Sequence, residues 1–337
     1  MNGLSRTDGA LMSSVWRSPW ALLLLVPLSY LVARIFFAAG VGTFTMNIVL
    51  FAAIYAVLAL GQTFAMGFAG VVSFGHPSFA ACGAYTYVHV SDSTGSPWMA
   101  CVAAAAAALV MGLLVALPLM RLRGFNLGMA TLGVLLATQT ILSEREDITG
   151  GRSGMAAPWL SDDPVVRGPI LVSLAALLVV ALQLFVLSRR GRDVIALRDD
   201  EAAAVSLGID AYWVKSLIFA VSAGLTGLGG ALFAAELGYV TPDTFAISMA
   251  INLLAITVIG GFRSPWGAVL GAVVFVYLQN GTTQLGDVSP LVYGGLFVII
   301  MVVLPSGLTG LLSSVVAAAA RRRGRSETTR EVRHARS

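Results

Sequence analysis

Few residues in this sequence could do chemistry, and they are scattered. The 337 residues hold three histidines (His76, His89, His334), two cysteines (Cys82, Cys101) and a single lysine, Lys215. Ser73, His76 and Ser78 lie close together, as a nucleophile and its base would. A hydrolytic site also needs a carboxylate to orient the imidazole and a strained nucleophile turn such as GxSxG. The neighbouring sequence offers neither. No HExxH or Cys/His pair has the spacing of metal ligands, and both cysteines lie in apolar runs that provide no disulfide framework. Lys215 has no glycine-rich loop before it, so a phosphate cradle of the GxxxxGK[ST] type is not expected. The chain therefore reads as no enzyme, with no cofactor and no metal.

Two kinds of segment remain that could act on something. One is the polar run SRRGRDVIALRDDEAAAVSLGIDAYWVKS, residues 188–216. Asp199, Asp200 and Glu201 cluster where a helix N-terminus favours negative charge. Ala202, Ala203 and Ala204 are strong helix formers, and Gly208 is placed to end the turn. This is either a short helix able to dock in a groove of another protein or a solvated connecting helix. The other is the stretch 61–85, with Gly61, Gly67, Gly70, Gly75 and Gly83 and with Pro77 after His76. Each interior glycine costs a helix about 1 kcal/mol relative to alanine, and proline removes a backbone donor. Such breaks are tolerated where backbone packs on protein or lines a water-filled cavity. Freed backbone groups, with the Ser73 and Ser78 hydroxyls, would then contact a polar solute; the alternative is close helix packing through small residues. A second break occurs at 260–267, GGFRSPWG, and its likeness to 67–85 hints at an internal repeat.

The elements that must position these residues are set by composition. The chain is 57% hydrophobic and only 11% charged, against about 25% charged in a soluble domain. From Ile35 to Met120 the only formal charge is Asp92. A bilayer core of about 30 Å takes about 20 apolar helical residues. On that basis ten candidate helices are expected, at 20–37, 44–63, 76–91, 97–120, 125–142, 168–187, 212–235, 248–262, 266–281 and 290–305. Two of them, 76–91 and 248–262, are short enough to be partial or re-entrant.

Lys and Arg prefer cytoplasmic segments. With both termini inside, 17 basic residues face the cytoplasm and four (Arg34, Arg145, Arg152, Arg167) face out. The net charge of +4 is then a topology signal rather than a nucleic-acid footprint. The expected fold class is an all-α integral membrane protein of about ten transmembrane helices, some broken or re-entrant. Residues 1–19 form a cytoplasmic N-terminus and 20–312 the membrane domain, which includes the cytoplasmic loop 188–214. Residues 313–337 form a basic tail near anionic headgroups. The first apolar run lacks a small-residue cleavage site and is expected to be retained. Charge within the spans is scarce, unlike ion-driven carriers, which keep ionisable groups there as relays. The driving force is expected to come from a partner.

Glu201-Ala202-Ala203 followed by Gly208, with Arg192 and Arg198 upstream, resembles the EAA signature of ABC-importer permeases. More narrowly, GRDVIALRDDEAAAVSLGID followed by KSLIFAVSAGLTGLGGAL is similar to the permeases of branched-chain amino-acid importers. The segments 67–85, 121–133, 149–155 (TGGRSGM) and 258–272 extend the likeness over about 45–312. Arg263 and Trp266 stand where the family usually has small or apolar residues.

The resemblance implies a permease subunit in the cell's inner membrane, moving branched-chain or related hydrophobic amino acids. It implies ATP-binding partner subunits, a second homologous permease and an extracytoplasmic solute-binding protein. Arg192, Arg198, Glu201, Ala202, Ala203 and Gly208 would couple to the ATPase. Gly67, Gly70, Ser73, Gly75 and His76 are the candidates for the translocation pathway. The alternatives are a urea or short-chain amide permease of the same class and a stand-alone ion-coupled amino-acid carrier.

Overall fold

The computed structural model describes residues 19–39, 42–122, 124–161, 163–282 and scattered positions between 292 and 311. The expected N-terminal segment before residue 19, the basic tail and most of the expected helix 290–305 lie outside the described residues. The helices are α1 (Pro19–Ala38), α2 (Thr43–Thr63), α3 (His76–Thr94), α4 (Pro97–Leu119), α5 (Phe125–Glu144) and α6 (Pro164–Leu187). They continue with α7 (Arg189–Asp199), α8 (Glu201–Ser206), α9 (Ala211–Leu237), α10 (Ile247–Gly260) and α11 (Pro265–Thr282). Six stretches among the described residues are long and apolar enough to cross a membrane: 43–68, 97–119, 125–144, 165–187, 211–237 and 242–260. The protein is an all-α membrane protein. Its β structure among the described residues is one short antiparallel ladder, Met155–Ala156 (β1) against Tyr239–Val240 (β2).

Helix α9 sits at the centre, packed against α2, α3 and α4, while α1 packs on α6 and α11 on α2. Between helices in lipid there is little hydrophobic gain, so closeness of packing decides what associates. The sequence GLTGLGGAL supplies that closeness. A Cβ at Gly227 would strike the Cβ of Ala108 on α4, and one at Gly230 would strike the Ala80 carbonyl on α3. One at Gly229 would lie 2.8 Å from Leu58 on α2. Each neighbouring helix thus has its own glycine on α9.

Helix α3 falls short of the apolarity of a lipid-exposed span, yet His76, Phe79 and Tyr87 are fully buried. It is surrounded by protein, which removes the need for an apolar outer face. The outward faces of α1 and α4 are apolar instead, with Leu24, Ile35, Val102 and Leu114 all more than half exposed. Apolar surface left open in this way is what a lipid-facing wall requires.

The 188–216 segment differs in one respect from a single short helix. It forms two, α7 and α8, broken at Asp200, whose backbone is extended (φ −153°, ψ 99°). Three side chains cap the run: Ser188 Oγ accepts from Gly191 N at 3.1 Å, Asp200 Oδ1 from Ala203 N at 3.0 Å and Asp210 Oδ1 from Trp213 N at 3.2 Å. These satisfy donors that a helix start leaves without partners. Asp200 cannot both cap α8 and continue α7, which is why the helix divides there.

Candidate functional site

Helix α2 does not end cleanly. Residues Phe64–Phe68 continue it as one wider π turn, and the Val71 amide donates back to the Ala65 carbonyl at 3.0 Å. Gly70 closes the turn at φ +69°, a conformation that glycine adopts without a Cβ clash. Such π turns disrupt the regular hydrogen-bond ladder and are frequent at functional sites.

Onto this broken end folds the 188–210 loop. Arg198 Nη1 donates to the Gly67 carbonyl at 2.6 Å, while Nε and Nη2 hold Asp199 Oδ1 at 3.0 and 2.7 Å. The Arg198 stem lies so close to Gly70 that a Cβ there would be 3.1 Å from Cγ. From the other side the Phe262 carbonyl, in the α10–α11 turn, presses on Gly67 where a Cβ would stand. The two glycine-rich breaks of the sequence and the polar loop therefore meet at one residue, Gly67.

A second tie fixes α8. Lys215 Nζ on α9 lies 2.7 Å from Glu201 Oε2, with both side chains partly exposed. Ala202 and Ala203 are exposed, as is Gly208, whose φ of +87° turns the chain toward α9. Next to them Leu207 is 82% exposed and Trp213 51%. Arg192 stands apart: it is exposed and donates to the Leu187 carbonyl at the end of α6 at 3.1 Å. Gly70, Arg198, Glu201 and Gly208 share the wall of one cavity of about 740 Å³.

The remaining pathway candidates lie deeper and are buried. Gln62 Nε2 donates to the Ser73 carbonyl at 2.9 Å, and Ser73 Oγ accepts from Gly75 N at 3.1 Å. The Phe74 amide donates to Thr131 Oγ1 on α5 at 3.0 Å. The break at 69–75 thus finds partners within the protein for several of its freed groups, as a buried backbone must. His76 lies edge-on to Phe79 and Phe219, and its Nε2 is 3.3 Å from Ser222 Oγ on α9. Ser222 uses its own proton on the Phe219 carbonyl at 2.7 Å. Its oxygen can then only accept, so Nε2 carries the imidazole proton and Nδ1 is a bare acceptor. Nδ1 and the Ser78 hydroxyl have no partner among the described residues. His76 thus engages Ser222 rather than Ser73 or Ser78.

One pairing gave no signal in the sequence. At the far end of α9, Arg167 Nη2 lies 3.2 Å from Glu236 Oε1, and the guanidinium sits 4.6 Å over the Trp159 ring. Twenty-seven residues of α9 separate this end from the loop, about 40 Å at 1.5 Å per residue. The β1–β2 ladder and the bond from Tyr87 OH to the Pro158 carbonyl, 2.9 Å, hold the 149–160 segment down beside it. Arg167 and Glu236 each look like an isolated charge at a helix end in sequence; only the packing of α6 and α9 joins them. Among the described residues no group of His, Cys, Asp and Glu could hold a metal ion.

Comparison with known proteins places this chain in a family. The profile described as "Branched-chain amino acid transport system / permease component" matches residues 44–304. The high-affinity branched-chain amino acid transport system permease protein LivM of Escherichia coli is 33% identical over 296 residues, 78% of this chain and 69% of that protein. The corresponding permease BraD of Pseudomonas aeruginosa is 24% identical over 76% of this chain and 91% of its own. The xylose transport system permease XylH of Haemophilus influenzae is 32% identical over a shorter part, 37% of this chain and 35% of its own. No solved structure matches the chain. The profile covers more than half of the sequence and the likeness to LivM more than two thirds of that protein: the chain belongs to the family of branched-chain amino acid transport system permease components.

Proposed function

We propose that the chain is a membrane permease subunit of an ABC importer that carries branched-chain or related apolar amino acids across the inner membrane. The observation that carries this reading is the 2.6 Å bond from Arg198 to the Gly67 carbonyl. It joins the loop that would receive an ATPase to the broken end of a helix that would line the path. The names of LivM and BraD support the solute class.

In this reading ten spans leave both termini and the 188–214 loop in the cytoplasm. The permease pairs with a second homologous permease and works with two ATP-binding subunits and an extracytoplasmic solute-binding protein. Ala202, Ala203 and the exposed Leu207 enter the ATPase. Glu201 ties α8 to α9 through Lys215, Gly208 sets the exit turn, and Arg192 and Arg198 hold the loop to the bundle. When the ATPase pair closes, the loop moves, and Arg198 transmits that motion to Gly67. Gly70, Ser73, Gly75 and His76 continue the path inward, in the alternating-access sense. The permease changes no covalent bond in the solute.

The test is reconstitution. The assembled complex in proteoliposomes is expected to take up leucine only with ATP and binding protein, and the permease alone to take up none. Gradient-driven uptake by the chain alone would establish a secondary carrier instead. ATP-driven uptake of urea with none of leucine would establish the amide importer.

A further inference from the structure

The cavity beside the 188–210 loop contains one charged group, Arg121, that the contacts described above leave unused, and another, Asp210, that they use only in part. Its wall runs from the end of α2 across the α4–α5 turn to the start of α9. Arg198 is engaged by Gly67 and Asp199, and Lys215 by Glu201. Arg121, in the α4–α5 turn, makes no hydrogen bond or ion pair among the described residues. Asp210 uses one carboxylate oxygen to cap α9 through the Trp213 amide. The same wall also holds apolar side chains, among them Met120, Leu127, Leu197 and Ile209. A volume of about 740 Å³ lies within the usual range for small-molecule sites. A simple anion would find Arg121 but meet repulsion from Asp210, and a simple cation the reverse. A molecule bearing both charges and an apolar tail satisfies all three parts of the wall.

We propose that this cavity is a second solute site, on the loop side of the permease, for a free α-amino acid with an apolar side chain. Its carboxylate meets Arg121, its ammonium meets Asp210 and its side chain lies on the apolar wall. Because Arg198 and Gly70 are part of the same wall, an occupied cavity holds the loop against the broken end of α2. Accumulated product thereby slows the cycle that imports it. The inference rests on the importer reading and adds a regulatory site to it.

The test uses the full importer in proteoliposomes, with ATP and increasing L-leucine sealed in the lumen and leucine-loaded binding protein outside. Lumenal leucine is expected to lower both initial uptake and ATP hydrolysis by about tenfold, the scale of an ordinary coupling between sites. Isocaproate, which lacks the ammonium, and isoamylamine, which lacks the carboxylate, are expected to do neither. Arg121→Ala and Asp210→Asn should each raise the half-inhibiting leucine concentration about tenfold, as loss of a charged hydrogen bond does, with the rate at no lumenal leucine unchanged. Asn still caps a helix, so the second variant keeps α9 intact.

Equal rates at every lumenal load would overturn the proposal, as would equal inhibition by isocaproate or an unshifted response in both variants. A rate that follows the phosphatidylethanolamine content of the vesicle through Arg121, and not leucine, would overturn it in favour of a lipid headgroup. Intact ATP-driven uptake with no response to load removes this site alone. Absence of ATP-driven leucine uptake at no load removes the importer reading and the site with it.

Discussion

In the α2–α3–α4–α9 hub, glycines bring backbones into direct contact, whereas the α7–α8 loop buries only a few apolar side chains, Val194, Leu197 and Ala204, and is tied to the same bundle by polar bonds. Gly227 and Gly230 leave no room for even a methyl group. Interiors packed to that density are bistable or rigid and do not deform continuously. Besides the buried Val194 and Leu197, the loop is held by Arg198 on Gly67, Glu201 on Lys215 and three helix caps. Contacts of this kind exchange readily with water and can be remade in a second arrangement. The difference shows where a conformational change can enter: at the polar joints, with the hub moving as one piece.

The sharpest way to break this comparison is to crowd the hub. Gly230→Val drives a side chain into the Ala80 carbonyl and is expected to destabilise the fold by about 3 kcal/mol, the upper end for overpacking. Thermal unfolding in detergent reads it, and an unchanged Tm would show that the hub yields. Ala203→Glu, on the exposed face of α8, should leave Tm unchanged and lower ATP-dependent uptake about 100-fold, because an unpaired charge would be buried against the ATPase. Full uptake in that variant would remove the docking role of α8.

Arg198→Ala leaves the Gly67 carbonyl without its donor and should lower uptake about tenfold, in line with 1–3 kcal/mol for an unsatisfied buried group. Its ATP hydrolysis should persist, since the ATPase contact is intact. Arg198→Lys restores a donor but not the fork that also holds Asp199, so only part of the uptake should return. The smallest effect is expected at Glu201→Gln, about threefold in uptake, because a half-exposed ion pair contributes about 1 kcal/mol or less. Exchanging the pair as Glu201→Lys with Lys215→Glu should recover it, and failure to recover would show that Glu201 acts through more than its bond to Lys215.

Much of the frame was legible before any coordinates. Helix positions follow from runs of about 20 apolar residues, and α1–α6 and α9–α11 lie within four residues of the expected spans. Ser188, Asp200 and Asp210 carry the signature of N-caps, although the division of the loop at Asp200 was not anticipated. The π turn at 64–68 left no trace, because FAMGF is as compatible with an ordinary helical turn. For the residues proposed to couple and to line the path, sequence pointed to two separate segments. That Arg198 touches Gly67, 131 positions earlier in the chain, depends on how α2, α7 and the α10–α11 turn pack. The pairing of Arg167 with Glu236 was hidden for the same reason.

Sequence alone determined that this chain lives in a membrane, where its helices run, which loop is polar and which segments are broken by glycine. Those properties are local: apolar length, capping side chains and helix-breaking residues act within a few positions of themselves. Tertiary structure alone decided which breaks meet which loop, which glycine faces which helix, and that Arg121 and Asp210 share a cavity with Arg198, Glu201 and Gly208. Those are distances between residues far apart in the chain. In a bundle of similar apolar helices, only close packing selects the neighbours.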